Sequence, residues 1–408
     1  MDYDYSPRAL EKVIYAGTQS ISFPQAAGDL LKLAELDVSP ERVRRVTERI
    51  GNERVAERAA QAAAFEALPI PARSEPPRDQ PVPSVVCVQM DGGRFQLFDR
   101  ADPERNDEQT FWREMKVGCL WSMTSTVSAE DPCPQLPKSF VDPERVRKMV
   151  REIKGFSGPE VLADQADDTG EPRIDERPER PQPVARSVVV SRCDVEAFGP
   201  LLASEAHQRG FAAAERKAFV ADGQDANWGV QRRHFPDYVP IADFIVPIAD
   251  FIHVLTYAYA AAMADQPASE GWRAYREWSQ WIWGGQVELV IAALELRQQA
   301  LGATTPETPQ TAAAAIVAKS LGYFRNQRPR MDYPRYRRLG LPITSAYVES
   351  TVKQVNRRMK GTEKFWSRGA EGMLTLVGDH LSDTPDLENF WKSRHLRQHG
   401  LRQYQTAA

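Results

Sequence analysis

The sequence predicts an α/β protein, with an all-α N-terminal region leading into a mixed sheet that is split by a helical insertion. Three observations carry that expectation. Apolar runs of strand length (Ser84–Met90, Arg94–Phe98, Phe111–Met123 and Lys217–Ala221) end at turn-forming or acidic residues. Helical periodicity fills the stretches before and after them. Three acids stand in distinct settings along this pattern: Asp91 ends the first run, Asp222 ends the last, and Glu349 lies inside a helical segment, Thr344–Lys353.

The whole chain sets bounds on what it can be. At 408 residues it has room for one large core and one or two satellites. Its 52 basic and 56 acidic residues leave a net charge of −4, so any nucleic-acid surface must be local. Cys87, Cys119, Cys133 and Cys193 show neither C-x-x-C pairing nor zinc-like spacing and are expected as free thiols of a reducing cytoplasm. The start, Met1-Asp-Tyr-Asp-Tyr, lacks the basic and apolar parts of a signal peptide. The most apolar region, 241–263, is broken by Asp243, Pro247, Asp250 and His253 and is not expected to span a membrane.

Taken in order, residues 1–68 read as helices. Ser22–Leu36 carries helical periodicity, Asp37–Ser39 breaks it, and Pro40–Ile50 restarts it, with Ser39 as N-cap and Pro40 at the first helical position. The pair, continued to residue 67, is either a helix-turn-helix or an ordinary αα-hairpin. Residues 69–83 form a proline-rich linker. The three runs from 84 to 123 suggest an antiparallel meander, with Asp91-Gly-Gly as its first hairpin turn. Residues 127–185 are expected as a loop-rich insertion with a helix at Pro143–Ile153. Val195–Gln208 reads as a helix, Lys217–Ala221 as a strand and Asp225–Arg233 as a helix. Strand-strand-strand-helix-strand-helix is the order of an RNase H-like core, expected over 84–366 with a helical insertion at 255–330 and a helical C-terminal tail at 367–408.

Two stretches stand out. Val239-Pro-Ile-Ala-Asp-Phe-Ile245 is repeated at once as residues 246–252. Seven is an odd number, so one copy cannot extend a strand without reversing which side chains face the core. One copy is expected in the strand and the other outside it. Between Gly322 and Arg368, twelve Lys/Arg face three acids, a net of +9. This is the local basic surface that the overall charge does not reveal.

The acids then gain a chemical reading. Each has a bland alternative: Asp-Gly is a hairpin signal, an aspartate after a strand can cap a helix, and Glu349 can pair with Lys353 on a solvated face. Val348, Val352, Val355 and Met359 form one helical stripe, and Glu349, Lys353, Asn356 and Lys360 the next. Such a helix would bury its apolar edge and offer one carboxylate. Carboxylates on rigid elements can hold two hard divalent cations about 3.5–4 Å apart.

Four segments, Ala221-Asp-Gly-Gln-Asp-Ala-Asn-Trp228, His234-Phe-Pro-Asp-Tyr238, Asp250-Phe-Ile-His253 and 344–361, together resemble a DDE transposase of the ISKra-type insertion-sequence family, within the Mutator-like group. Ser6–Arg58 is similar to that family's N-terminal helical region and Val85–Leu97 to its first strands. The resemblance implies Asp91, Asp222 and Glu349 as catalytic residues and as ligands of Mg²⁺, which Mn²⁺ can replace. It implies Asp250 and His253 as auxiliary residues, with His253 orienting a phosphate or simply hydrogen-bonded at a strand-to-helix junction. Transposon-end and target DNA, a homo-oligomer on that DNA, and association with a bacterial nucleoid follow by the same analogy. Arg325, Arg328, Arg330, Arg335, Arg337, Arg338, Lys353, Arg357, Arg358 and Lys360 are the expected DNA contacts, with Tyr323, Tyr333 and Tyr336 interleaved. Trp278 and Trp281 either stack on a base or fill a helical core. The duplicate Asp243 departs from the family's pattern, because no histidine follows it at the right distance. An inactive DNA-binding relic and a non-transposing RNase H-like nuclease are the rival readings.

Overall fold

The computed structural model describes residues 5–78, 80–98, 111–154, 180–222, 224–236, 245–361, 364, 366–367 and 369–399. Three helices open the chain: α1 (Pro7–Gln19), α2 (Phe23–Ala34) and α3 (Pro40–Ala67). Each begins the same way, with a serine (Ser6, Ser22, Ser39) whose side chain accepts a backbone N–H three residues on and a proline in the first turn. A short helix, α4 (Ile70–Ser74), interrupts the expected linker.

The sheet follows. Strands β1 (Val85–Gln96) and β2 (Trp112–Thr124) precede α5 (Pro143–Lys154), β3 (Gln182–Ser191) and α6 (Val195–Gln208). Then come β4 (Arg216–Ala221), α7 (Asp225–His234) and β5 (Ile245–Ala249). The five strands lie in the order β3-β2-β1-β4-β5. β1 is antiparallel to β2, and β2 to β3, whereas β1–β4 and β4–β5 are parallel. The fold is mixed α/β, as the sequence predicts.

The expected meander is corrected in two ways. Asp91-Gly92-Gly93 is not a turn: β1 runs through it, pairing Asp91 with Val117 and Gly93 with Met115. Neither glycine has the positive φ that a tight hairpin turn requires. A Cβ at Gly93 would collide with the Met115 side chain, so this glycine serves close packing within the sheet. The third antiparallel strand is instead β3, whose first residues fall in the stretch expected as an insertion.

Alternation gives the sheet two different faces. Val85, Cys87, Met115, Val117, Ala218 and Val220 join one large core, while Val86, Val88, Met90, Leu120, Phe219 and Ala221 pack with Phe198 and Leu202 of α6 and Trp228 of α7 in another. The large core is completed by α8 (Phe251–Met263), α9 (Ala268–Trp283), α10 (Val287–Leu301), α11 (Ala313–Gln327), α12 (Tyr333–Arg338) and α13 (Ala346–Met359). Trp272, Trp278 and Trp283 are buried there, and Trp281 packs against it. The tryptophan cluster is thus core. No described helix is long and apolar enough to cross a membrane.

The two ends of the chain meet. α14 (Ala370–Leu381) lies against β3 and α3, and α15 (Asp386–His399) adds Phe390 to a small core with Leu10, Val13, Ile14, Val43 and Ile50. α3 and α14 cross at paired glycines: a Cβ on Gly51 would fall 2.6 Å from the Gly372 carbonyl. Beside that crossing Asp379 is enclosed by Arg54 (3.0 Å) and Arg58 (2.7 Å).

The tandem heptad is divided in register. Its second copy supplies the end of β5 and the start of α8; residues 239–244 of the first lie outside the described residues. Among the described residues β5 is an edge strand, a position that tolerates Pro247, which pairs with Phe219.

Candidate active site

Strand register brings the first two acids together. The last parallel pair of β1 and β4 is Met90 with Ala221, so Asp91 and Asp222 are the next residues on neighbouring strands. Both continue the face that carries Cys87, Ala218 and Val220, which is the face covered by α8 and α13. Asp91 accepts the Gly92 N–H (2.7 Å). Asp222 accepts from the Gln224 backbone (3.2 Å) and the Asn227 amide (2.8 Å) at the start of α7.

The remaining residues come from two helix starts. Asp250 caps α8 and is fully buried. Its Oδ1 accepts from the N–H groups of Ile252 (3.2 Å) and Ser345 (3.1 Å), and its Oδ2 accepts from the Ser345 hydroxyl (2.7 Å) and meets His253 Nδ1 (2.5 Å). His253 Nδ1 also lies 3.9 Å from Glu349 Oε1, and the Ser345 hydroxyl 3.1 Å from the same oxygen. Glu349 stands in the first turn of α13, and its helix is tied to β1 by Gln89, whose amide donates to Thr344 O (2.9 Å) and accepts from Val348 N–H (3.1 Å).

These groups sense one another. Burial, with the charges of Asp222 and Glu349, pushes the Asp91 carboxyl up to about 7 against the opposing pull of the Gly92 N–H and His253. Burial and the Asp250 charge raise Glu349. Burial would depress His253, but its hydrogen bond to Asp250 and the charges of Asp250, Asp222 and Glu349 raise it to about 9, so it is an imidazolium at neutral pH. Burial would raise Asp250, yet His253 and Ser345 hold it below its usual value.

Among the described residues, Asp250, His253 and Glu349 alone bring three ligand-type atoms within 4.8 Å of one another. Asp250 is a poor ligand all the same, because its two oxygens already take four hydrogen bonds. It acts as the hub that orients His253 and the start of α13. Asp91, Asp222 and Glu349, the set expected from sequence, share the face and the field but do not form so tight a group. Their donors are all carboxylate oxygens, which suits a hard divalent cation. Burial lifts Asp91 most, and the charges of Asp222 and Glu349, which add to the lift, are what such a cation would neutralise.

The expected DNA contacts divide sharply. Arg337 is not a surface residue: it is buried, bonded to Asp131, and stacked 4.0 Å from the centroid of Trp283. Arg358 is likewise internal, giving its guanidinium to Gly17 O (2.9 Å) between the rings of Phe23 and Trp366, where burial pushes it down to about 10. Planar guanidinium groups satisfy buried carbonyls and stack on rings, so arginine in a basic segment need not face solvent. Arg325 and Arg328 pair with Glu295 (2.7 Å) and Glu288 (3.1 Å), and Arg330 lies half-buried over Trp228. Arg335, Arg338, Lys353 and Arg357 are exposed, and Lys360 is half-buried over Trp112. Tyr323, Tyr333 and Tyr336 are buried and belong to the core.

Sequence reasoning missed Gln89 and Ser345. Gln89 had a legible signal, being the one amide in the apolar run from Val85 to Met90. Ser345 had none beyond its place before a helix.

Comparison with known protein families finds no family model that matches this chain, and comparison with curated proteins finds no match either.

Proposed function

We propose that this protein is a DNA transposase whose Asp91, Asp222 and Glu349 form a DDE site for strand cleavage and strand transfer at insertion-sequence ends. The observation that carries the reading is the placement of Asp91 and Asp222 side by side where the parallel pairing of β1 and β4 ends, with Glu349 of α13 near enough for its charge to act on Asp91. The strand order β3-β2-β1-β4-β5, antiparallel on one side and parallel on the other, supports an RNase H-like core.

In this reading Asp91, Asp222 and Glu349 hold Mg²⁺, or Mn²⁺ in its place, which when bound supplies Lewis-acid stabilisation of phosphoryl oxygens. Asp91, with its carboxyl lifted to about 7, would have to be deprotonated to serve as a ligand. His253 adds positive charge beside Asp222 and Glu349 and is oriented for it by Asp250. The N-termini of α8 and α13 contribute partial positive charge to the same place, which favours a phosphate. Arg335, Arg338, Lys353 and Arg357 supply exposed cations for the DNA backbone. Synapsis of two ends calls for a dimer or larger assembly on DNA.

The test is a cleavage assay with Mg²⁺ on DNA carrying the element's ends, comparing wild type with Asp222→Ala. Metal-dependent nicking and joining that Asp222→Ala abolishes is the expected result. Binding without nicking would leave a relic that has lost activity, and nicking without joining would leave a nuclease.

A further inference from the structure

We propose that Gln89 is the positioning residue that sets Glu349 against Asp91, by capping the start of α13 from the neighbouring strand in place of that helix's own cap residue. The inference rests on the metal-site reading of Asp91, Asp222 and Glu349.

A serine before a helix normally turns its hydroxyl onto the backbone N–H three residues ahead. Ser6, Ser22 and Ser39 do so in α1, α2 and α3. Ser345, which precedes α13, does not: it makes no side-chain cap, and its hydroxyl is drawn instead to Asp250 Oδ2 (2.7 Å). The N–H that it would have served belongs to Val348, and it is buried where no solvent can satisfy it. Gln89 Oε1 takes that N–H at 3.1 Å, while Gln89 Nε2 donates to Thr344 O at 2.9 Å. One primary amide, itself fully buried, thus completes both a donor and an acceptor at the first turn of a helix to which it does not belong.

Its location gives the contact its consequence. Gln89 precedes Asp91 by two residues on the same face of β1, and Val348 immediately precedes Glu349. The amide is therefore a short, rigid strut between the two backbone segments that carry these carboxylates. Asp250 supplies a second strut, from α8, through the N–H and hydroxyl of Ser345. Removing groups that orient ligands typically weakens metal affinity by about 10- to 100-fold.

The experiment is an electron paramagnetic resonance titration of the full chain with Mn²⁺, run on wild type, Gln89→Met, Gln89→Asn, Asp222→Ala and Asp379→Asn, with thermal unfolding of each. Gln89→Met keeps length and volume but loses both hydrogen bonds. Gln89→Asn keeps the amide but is too short to reach both partners, and it serves if the methionine variant fails to fold. We expect each to weaken Mn²⁺ binding by about 10-fold or more. Asp379→Asn, which loosens the distant α3–α14 contact, should unfold more easily yet bind Mn²⁺ as wild type does. Mn²⁺ affinity unchanged in both Gln89 variants would overturn the proposal. So would an equal loss in Asp379→Asn, because the effect would then track general stability. If wild type and Asp222→Ala bind Mn²⁺ equally weakly, the metal-site reading itself falls. If Asp222→Ala alone loses affinity, only the role of Gln89 falls.

Discussion

Two aspartates in this protein, Asp379 buried and Asp91 half-buried, end in opposite electrostatic states. Asp379, on α14, has Arg54 and Arg58 within hydrogen-bond distance from α3. Burial alone would raise its carboxyl, but the two guanidinium groups hold it below its usual value. Asp91, on β1, faces Asp222 and Glu349, and burial together with those charges lifts its carboxyl to about 7. The first carboxylate is complete within the chain. The second is surrounded by charges of its own sign, with His253 as its opposing cation. Buried acids with built-in partners hold elements together, whereas half-buried acids set against one another mark a place that is completed from outside.

The comparison can be broken most directly at Asp379. Asp379→Ala leaves two buried guanidinium groups without their carboxylate, and about 3–5 kcal/mol of stability should be lost in urea denaturation. A loss near zero would mean that the α3–α14 contact rests on packing alone. Because the folded pKa of Asp379 is depressed, its contribution is present above the unfolded value of about 3.9 and fades as pH falls through the folded one.

Asp91 should show the reverse sign. Its folded pKa lies above the unfolded one, so the cost of keeping it charged is absent below about pH 4 and complete above about pH 7. Asp91→Asn should therefore be more stable than wild type at pH 8, by about 2 kcal/mol once solvent screening is allowed for, with the gain gone at pH 4. The same variant should lose Mn²⁺ binding. A variant less stable at both pH values would show that Asp91 is a structural acid after all. The His253 imidazolium, raised to about 9, contributes below the unfolded value of about 6.5 and is lost as pH rises through the folded one. A profile measured from pH 4 to 10 should thus carry both signatures.

The smallest effect distinguishes two neighbouring arginines. Arg357→Ala, at an exposed position, should change stability by less than about 0.5 kcal/mol while reducing the salt dependence of DNA binding by about one unit of slope. Arg358→Ala should instead lower thermal stability, because the Gly17 carbonyl and the Phe23 and Trp366 rings lose their shared partner. Equal DNA-binding losses in the two would undo the division between surface and interior cations.

Much of the fold was legible in the sequence, and the gaps have identifiable causes. The Ser39–Pro40 helix start, the α6–β4–α7 succession and the apolar stripe of α13 depend on local periodicity and capping, which a sequence displays. Asp91-Gly-Gly misled because glycine is used both for turns and for close packing, and only the partner strand decides between them. β3 was hidden because its first residues, Gln182–Arg186, are mostly exposed or half-buried and do not look like a core strand. Charge counting found the basic segment but could not foresee that Arg337 and Arg358 turn inward. Asp91, Asp222 and Glu349 could be singled out, but their meeting depends on strand register, and the roles of Gln89 and Ser345 depend on contacts with residues 255 and 95 positions away.

The glycine crossing of α3 and α14 has a mechanical consequence. With no side chain between the two backbones at Gly51 and Gly372, the N-terminal helices have almost no room to pivot against the sheet. A surface on α1–α3 is thus joined through α14 to the sheet that carries Asp91, packed onto it and not tethered.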